Sequence, residues 1–305
     1  MPRLERRWFC RNIEDAIGNT PLLDLTGTLS IRNGSRLLAK LEFLNPGGSV
    51  KDRPALYILR DALRSGLLGP GKTVIDASSG NMALSMTMIS TSLGYGVKLV
   101  LPRNVSSEKI GLLRLLGAEL VLTDPIEGID GAIRVARSIV EADPKSYFYA
   151  NQYDNPSNLR AHYETTGPEI ISQTEGRVTH LVAGVGTSGT LMGAGRRLRE
   201  YNPSVKLVEV QPDSPLHGIE GLKHMSSSIR PQIYDPGFAD HLIGVPTEEA
   251  IRHARLLASR CGVLAGISGG ANVAAALRVA ADNPGSVVVT VIPDGSARYL
   301  DILMR

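Results

Sequence analysis

The chain has 305 residues, of which 43% are hydrophobic and 21% are charged, as in an ordinary globular protein of about two domains. Its 33 basic and 30 acidic residues are mixed along the sequence and leave a net charge of +3, so we expect no nucleic-acid partner. The two cysteines lie far apart and the six histidines form no His-x-x-x-His pair, which argues against a disulfide framework and against a metal site.

The sequence also argues against a membrane protein. It has no apolar run of about 18 residues, and Met1 to Asn12 mix arginine and glutamate without the apolar segment of a signal peptide. We therefore expect a cytoplasmic protein.

Short apolar runs alternate with segments of helical periodicity along the chain. The predicted strands are residues 37–43, 73–77, 97–102, 119–123, 180–184, 206–211 and 287–292. Alternation of strands and helices favours parallel sheets covered by helices on both faces, with ligands at the carboxyl ends of the strands. The predicted fold class is therefore α/β, and the loops that follow a strand are the places to search for a site.

The first candidate in chain order is Lys51, which follows the turn Asn-Pro-Gly-Gly-Ser-Val that starts at Asn45. Apolar residues with helical spacing come directly after it, at Ala55, Ile58, Leu59 and Ala62. A helix N-terminus disfavours an ammonium, so the amine here is biased toward the neutral nucleophile that forms an imine. Most lysines at such positions are solvated, so the position alone leaves both interpretations open.

The next candidates follow the strand predicted at residues 73–77. The run Ser78, Ser79, Gly80 and Asn81 combines small hydroxyl and amide groups at a predicted helix start, where backbone N–H groups can hold a carboxylate.

A glycine-rich loop follows the strand predicted at residues 180–184. Its sequence from Gly184 to Thr190 is Gly-Val-Gly-Thr-Ser-Gly-Thr, and a helix is predicted after it, so its amides can cradle a phosphate. The same residues match the Gly-x-Gly-x-x-Gly dinucleotide fingerprint, with Glu209 placed 209 − 189 = 20 residues beyond the last glycine. The loop alone therefore leaves an NAD site open. Gly193 and Gly195, further along, are predicted to permit close helix packing.

Together these segments resemble the motifs of the fold-type-II pyridoxal-phosphate enzymes, in particular the cysteine synthase family. Residues 45–54, 78–81, 186–190 and 266–271, the last reading Gly-Ile-Ser-Gly-Gly-Ala, occur in the family's order, and the resemblance covers nearly the whole chain. It implies two doubly wound α/β domains with the cofactor in the cleft between them. The smaller, mobile domain would be residues 41–150, and the larger, cofactor-binding domain residues 1–40 and 151–305.

The resemblance also implies a role for each motif. Lys51 would bind pyridoxal phosphate and then act as the catalytic base, and Ser268 would face the pyridine nitrogen. The cofactor would further be bound by Asn81, Gly186, Thr187, Ser188, Gly189 and Thr190. The substrate carboxylate would be bound by Ser78, Ser79, Gly80 and Gln152. Because a serine only hydrogen-bonds the ring nitrogen, where an aspartate would keep it protonated, β-elimination and replacement are favoured over transamination.

The chain departs from the family's pattern directly after Asn81. Met82 stands where the family has a threonine and Ala83 where it has a glycine, so the loop loses one hydroxyl and one flexible backbone position. These changes make the binding of the substrate carboxylate and the closure of the domains less certain than in a close match to the family.

The reaction implied is a β-replacement. The β-substituent of O-phosphoserine or O-acetylserine is exchanged for a sulfur nucleophile, which forms L-cysteine or a cysteine adduct. Close alternatives are a diaminopropionate-type synthase with a nitrogen nucleophile and a serine or threonine dehydratase, and no residue decides among them. From other classes come an NAD-dependent oxidoreductase and a catalytically silent homologue, and the joint presence of Lys51, Asn81 and Ser268 argues against the silent one.

Residues 218–225 resemble the family loop that faces the leaving group, which places Gly221 and Lys223 beside the substrate. In the branch that uses O-phosphoserine and a sulfur-carrier protein, an arginine occupies what resembles the place of Lys223. We hypothesise that Lys223 recognises a phosphate as a point charge and makes O-phosphoserine the preferred donor. A solvated lysine is the alternative.

The expected partners are small molecules, namely an amino-acid donor and a sulfur donor, with a sulfur-carrier protein as one candidate source of sulfur. A homodimer is expected because the family is usually dimeric. The chain stops at Arg305, soon after Tyr299 and Leu300, so an appended regulatory domain is not expected.

Overall fold

The computed structural model describes residues 9–78 and 80–305. Their strands are β1 (Leu22–Asp24), β2 (Arg36–Leu41), β3 (Thr73–Ala77), β4 (Val97–Pro102), β5 (Glu119–Thr123), β6 (Tyr147–Tyr149), β7 (His180–Gly184), β8 (Lys206–Pro212), β9 (His241–Val245) and β10 (Val287–Ile292). Their helices are α1 (Asp52–Arg64), α2 (Asn81–Ser92), α3 (Ser107–Leu115), α4 (Gly128–Ala142), α5 (Pro156–Ala161), α6 (Gly167–Gln173), α7 (Gly189–Tyr201), α8 (Thr247–Cys261), α9 (Ile267–Asp282) and α10 (Leu300–Leu303). A π-helical segment, His162–Thr166, joins α5 to α6.

The described residues form two compact units. The larger unit contains Gly18–Val50 and Leu159–Arg305, and the smaller unit contains residues 9–17 and Lys51–Asn158. Within the part of the chain that the structure describes, every helix is too short or too polar to cross a membrane.

The larger unit is built on a six-stranded sheet with the order β1-β2-β10-β7-β8-β9. All of its neighbours pair in parallel except β1, which is antiparallel to β2. Side chains alternate along each strand, so both faces of the sheet carry a core. In β2, Leu37 and Ala39 pack in the core that contains α8 and α9, whereas Leu38 packs in the opposite core with α6 and α7.

The smaller unit is built on a parallel four-stranded sheet with the order β5-β4-β3-β6. In β3, Val74 packs in the core that contains α1 and α2, whereas Ile75 and Ala77 pack in the opposite core with α4. Each unit is therefore an α/β sandwich with helices on both faces, as the strand–helix alternation predicted.

All seven predicted strands are present, as β2, β3, β4, β5, β7, β8 and β10, with ends that differ by at most two residues. The prediction missed β1, β6 and β9, which lie at sheet edges. β1 and β6 have only three residues each, and β9 begins with the exposed residues His241 and Leu242. Short or polar edge strands carry little of the apolar pattern that identifies a buried strand.

The unit boundaries differ from the predicted domain limits of 41 and 150. Residues 41–50 stay with the larger sheet, because Leu41 pairs with Ile292 and the amide of Val50 donates to the carbonyl of Pro293 at 2.7 Å. At the other end, the amide of Ala150 donates to the carbonyl of Ile75 at 3.0 Å and keeps the chain on the smaller sheet. The mobility assigned to the smaller domain stays a prediction.

Candidate active site

The sequence motifs lie at the carboxyl ends of strands in both units. In the larger unit they follow β7 and precede α9, and in the smaller unit they precede α1 and follow β3 and β6. This is the edge at which open α/β sheets bind their ligands. The two sets of residues are described in turn.

The glycine-rich loop of the larger unit connects β7 to α7. Gly189 is the first residue of α7, a helix of 13 residues, and Ser188 precedes it with a left-handed backbone at φ 68°. The first turn of α7 therefore presents backbone N–H groups at the positive end of the helix dipole. This geometry suits an anion such as a phosphate.

The Ser188 side chain is a second, independent indication that this loop binds a ligand. It is only 2% exposed, and its Oγ has no hydrogen-bond partner among the residues that the structure describes. A buried hydroxyl without a partner costs about 1–3 kcal/mol, so such groups ordinarily find one. The neighbouring Thr187 is buried as well. The loop thus fits the phosphate of pyridoxal phosphate, because a bound phosphate oxygen would satisfy Ser188.

The predicted leaving-group loop packs directly on this glycine loop. A Cβ on Gly186 would lie 2.0 Å from the carbonyl oxygen of Gly221, so only glycine allows this approach. The amide of Lys223 donates to the carbonyl of Val185 at 2.9 Å. Gly221 itself has φ +88°, a left-handed conformation that also favours glycine. The structure therefore brings Gly221 and Lys223 together with Gly186.

The Lys223 ammonium has a local partner. Its Nζ donates to the carbonyl oxygen of Ile229 at 3.1 Å, within the same loop region. The side chain is half-buried rather than fully solvated.

Glu209, the acidic residue of the dinucleotide fingerprint, is engaged inside the larger unit. Its carboxylate accepts hydrogen bonds from the Tyr234 hydroxyl at 3.0 Å and from the Gln211 amide. Burial raises the pKa of this carboxyl above its ordinary value. A ribose-binding carboxylate must be open to its ligand, so these contacts do not favour the NAD alternative.

Ser268 is the second residue of α9, and its side chain is only 3% exposed. The turn before it is held by Asp294, since the amide of Gly266 donates to the Asp294 carbonyl at 2.9 Å. The Tyr299 hydroxyl donates to the Asp294 carboxylate at 2.7 Å, and a Cβ on Gly266 would lie 2.1 Å from that carboxylate. Ser268 is therefore presented from a firmly packed turn.

In the smaller unit, Lys51 lies at the N-cap position of α1, as the sequence predicted, and it is half-buried. The next residue, Asp52, is fully buried and accepts a hydrogen bond of 2.5 Å from Ser85 on α2. Because Asn81 is the first residue of α2, this bond ties the helix that starts beside Lys51 to the helix that starts at Asn81.

The substrate-loop residues lie between β3 and α2. Ser78 is buried, and its Oγ accepts from the amide of Gly80 at 3.4 Å. Ser79 lies outside the described residues. Met82 and Ala83, the departures from the family pattern, are both buried in the core of the smaller unit, so they pack against apolar neighbours. Their side chains serve packing, which leaves the backbone and Asn81 to define the loop.

Gln152 follows β6 and is only 4% exposed. Its side-chain Nε2 donates to the carboxylate of Asp76 at 3.4 Å, and its main-chain carbonyl accepts from the side-chain amide of Asn158 at 2.8 Å. The structure thus brings Gln152 to the carboxyl end of β3, beside the strand that leads into Ser78.

Two residues at the candidate site were not predicted from the sequence. One is Asp76, whose signal was a carboxyl residue next to the apolar residues Val74, Ile75 and Ala77 of its strand. The other is His162, whose ring contacts the hydroxyls of Thr190 at 3.3 Å and Thr166 at 2.9 Å. His162 lies in the π-helical segment, and no spacing in the sequence indicated that it would reach the start of α7.

Metal ligands are not a feature of this region. Across residues 9–78 and 80–305, His, Cys, Asp and Glu side chains form no group of three or more that could hold a metal ion.

Comparison with known proteins identifies the family. The profile of the pyridoxal-phosphate dependent enzymes matches residues 13–294. A cysteine synthase of Aquifex aeolicus is 49% identical over 290 residues, which span 93% of this chain and 89% of the relative. A solved cysteine synthase structure from Entamoeba histolytica, an O-acetylserine sulfhydrylase, has a TM-score of 0.92 at 35% identity and covers 99% of this chain and 91% of its own. An O-acetylserine dependent cystathionine β-synthase from Helicobacter pylori has a TM-score of 0.90 at 34% identity, over 96% of this chain and 98% of its own.

These matches run through all the motifs described above, in both units, and agree with the buried Ser188 hydroxyl that a phosphate would satisfy. The chain therefore belongs to the family of pyridoxal-phosphate dependent enzymes, in the fold-type-II group that contains the cysteine synthases.

Proposed function

We propose that this chain is a cysteine synthase, which replaces the β-substituent of an O-activated L-serine with a sulfur nucleophile and releases L-cysteine. The observation that carries the proposal is the 49% identity to a cysteine synthase over 93% of this chain. The diaminopropionate, dehydratase and NAD-dependent alternatives are not favoured, because the relatives are cysteine synthases and Glu209 is engaged with Tyr234.

Bound pyridoxal phosphate supplies an electron-withdrawing ring that makes the Cα proton of an amino acid more acidic. The glycine-rich loop and the start of α7, residues 186–190, would hold its phosphate through backbone N–H groups and the Ser188 hydroxyl. The hydroxyl of Ser268 would hydrogen-bond the ring nitrogen without supplying a charge, which favours β-replacement over transamination.

Lys51 is the residue that would bind the cofactor's aldehyde. Its place at the N-terminus of α1 disfavours the ammonium form, and the neutral amine is the form that acts as nucleophile and base. The Lys51 amine would also be the base that takes the Cα proton of the substrate.

The smaller unit would bind the substrate carboxylate. Ser78, Ser79, Gly80 and the amide of Gln152 are the proposed donors, with Asn81 next to the cofactor ring. Neutral N–H and O–H donors can hydrogen-bond the substrate carboxylate without neutralising its charge. Their role would be to orient the substrate.

The donor remains a choice between two leaving groups. O-acetylserine appears in the names of two similar structures, a sulfhydrylase of Entamoeba histolytica and the Helicobacter pylori enzyme. The names of these structures favour O-acetylserine. The Lys223 ammonium donates to the carbonyl of Ile229. The hypothesis that Lys223 prefers a phosphate stays a prediction. A homodimer, a sulfur-carrier partner and a cytoplasmic location are likewise proposals that rest on the family.

The test is covalent trapping followed by product analysis. The protein is purified with pyridoxal phosphate, reduced with borohydride and mapped by peptide mass spectrometry, and the modified residue should be Lys51. With O-acetylserine and sulfide the intact protein should form L-cysteine, and Lys51→Ala should form none. A reduced adduct on another lysine, or a product that contains nitrogen from an added amine but no sulfur, would overturn the proposal.

A further inference from the structure

The carboxyl group of Asp76 lies at the carboxyl end of β3, in the smaller unit. Asp76 is the penultimate residue of the strand and comes shortly before Ser78, and its side chain is only 2% exposed. Strand alternation puts it on the face of Val74, opposite to Ile75 and Ala77. A carboxyl is an unusual occupant of this position, because the other central residues of the strand are apolar.

Asp76 accepts a hydrogen bond from Gln152, which lies shortly after β6. The Nε2 of Gln152 donates to the Asp76 carboxylate at 3.4 Å, a long hydrogen bond. The backbone N–H groups of Ala77 and Asn151 also lower the pKa of Asp76. In its ionised form the Asp76 carboxylate offers only acceptors, so it then selects the NH₂ end of the Gln152 amide and turns the carbonyl end away. The orientation of this amide is therefore set by Asp76.

The stability of the folded protein does not explain why a carboxyl group is buried at position 76. Burial raises the pKa of Asp76 to about 7, because the Gln152 amide and the backbone N–H groups of Ala77 and Asn151 only partly offset the loss of hydration. The negative charge of Asp76 acts on two nearby tyrosines, Tyr149 and Tyr153. Burial, together with the charge of Asp76, raises the pKa of each tyrosine. Among the described residues, no cation contributes to the pKa of Asp76. A buried carboxyl without a cation costs folding free energy, and such groups concentrate at functional sites.

Gln152 is held on its main chain as well. Its carbonyl accepts a hydrogen bond of 2.8 Å from the buried side chain of Asn158. The amide nitrogen carries two hydrogens, and Asp76 takes one of them. The second remains a donor for a ligand, and its direction follows from the first.

We infer that Asp76 is a positioning residue, which orients the Gln152 amide so that its second N–H faces the carboxylate of the amino-acid substrate. This inference rests on the proposed function, which assigns that carboxylate to Gln152. It predicts that Asp76 affects the binding of ligands with a carboxylate and leaves ligands without one unaffected.

The experiment compares two matched ligands on the holoenzyme. L-alanine and ethylamine both carry a primary amine on the same two-carbon skeleton, and only L-alanine has a carboxylate. Each is titrated against the visible absorption of the bound cofactor, for the wild type and for Asp76→Asn, Gln152→Met and the double variant. The variant Asp61→Asn serves as the control, because Asp61 is another aspartate of the smaller unit and accepts from Ser157 at 2.5 Å.

Gln152→Met should raise the Kd for L-alanine about tenfold, and Asp76→Asn about three- to tenfold, since the introduced amide would present its own N–H groups to the same donors. The double variant should bind L-alanine no more weakly than Gln152→Met alone, because the two residues act through one hydrogen bond. The Kd for ethylamine should stay within about twofold throughout. In steady-state kinetics the KM for the donor should rise while kcat stays within about twofold.

The outcomes separate the two proposals. If Gln152→Met leaves L-alanine binding unchanged, the assignment of Gln152 in the proposed function fails. If Gln152→Met weakens binding but Asp76→Asn does not, or if their effects add, the inference about Asp76 fails alone. Should Asp76→Asn not fold, Asp76→Thr removes the carboxylate with a residue that strands favour. Asp76→Glu keeps an acceptor-only group and should restore binding to within about threefold of the wild type.

Discussion

At the scale of single residues, Ser188 has two properties that each cost folding free energy. It has a left-handed backbone, and its hydroxyl is buried without a partner among the described residues. Both properties lower the stability of the cofactor-free protein, and a bound phosphate would remove the second. We therefore expect ligand binding, and not folding, to account for this residue.

Ser188→Ala should weaken cofactor binding about ten- to a hundredfold, since a hydrogen bond to a charged group contributes about 1.5–3 kcal/mol. It should also raise the Tm of the cofactor-free protein by about 1–3 °C, because an unsatisfied buried hydroxyl is removed. Fluorescence titration with pyridoxal phosphate and thermal unfolding measure the two effects. Ser90→Ala is the matched control, because the Ser90 hydroxyl is also buried without a partner in the described residues, but on α2 of the smaller unit. That control should stabilise the protein without changing cofactor affinity, and an unchanged affinity for Ser188→Ala would contradict the assignment.

Lys223 is the second residue whose role can be measured. If it recognises a phosphate on the donor, Lys223→Gln should lower kcat/KM for O-phosphoserine about ten- to a hundredfold and leave O-acetylserine nearly unchanged. If its bond to the Ile229 carbonyl only supports the loop, both donors should lose activity equally. Parallel steady-state kinetics with the two donors decide between these results.

At the scale of elements, the approach of α7 to its neighbours depends on missing side chains. A Cβ on Gly193 would lie 2.2 Å from the carbonyl oxygen of Leu159 and 2.8 Å from the Cβ of His162. The sequence predicted that Gly193 and Gly195 permit close packing, and the contacts confirm it: Gly195 packs against Leu207 and Phe238. This packing places His162 beside Thr190 in the first turn of α7.

Gly193→Ala should therefore lower the free energy of unfolding by about 1–3 kcal/mol, because backbone atoms cannot yield cheaply to the added methyl group. Gly111→Ala is a matched control with the opposite sign. Gly111 also lies within a helix, α3, but nothing lies within 4 Å of its added Cβ, so alanine should stabilise by about 0.4–1 kcal/mol. Urea unfolding of both variants measures the difference, and stabilisation by Gly193→Ala would show that the helix contact is looser than described.

At the scale of the whole molecule, the buried Asp76 links stability to pH. Burial raises its pKa from the ordinary 3.8 to about 7. Between these values the folded protein keeps a proton that the unfolded chain has lost, so the contribution of Asp76 to the free energy of unfolding falls as the pH rises. The decline spans about pH 4 to pH 7 and ends above that range.

Asp76→Asn lacks this proton, so the unfolding free energy of the wild type minus that of the variant should fall from about pH 4 to about pH 7 and then level off. The difference between the wild type and Asp76→Thr should depend on pH in the same way, because threonine also lacks the carboxyl. Urea unfolding at intervals across this range measures the difference. A difference that stays constant, or that rises with pH, would show that Asp76 is not protonated in the folded protein.

The period of the apolar pattern was enough to predict the α/β class, the central strands and the helix after Lys51. Residues close together in the sequence show by their apolar spacing which face of a strand or helix is buried. The ordered motifs identified the loops that carry Lys51, Asn81, Ser188 and Ser268. These are local properties, and the sequence alone determined them.

Only the tertiary structure decided which residues far apart in the chain meet. It engaged Glu209 with Tyr234, it brought the backbone of Gly221 onto Gly186, and it kept residues 41–50 on the larger sheet. It also joined Asp76 to Gln152 across two strands that are neighbours only in the folded sheet. The physical reason is that hydrogen bonds and close packing depend on distance in space, and no pattern along the chain records which strand edges or helix faces will be adjacent.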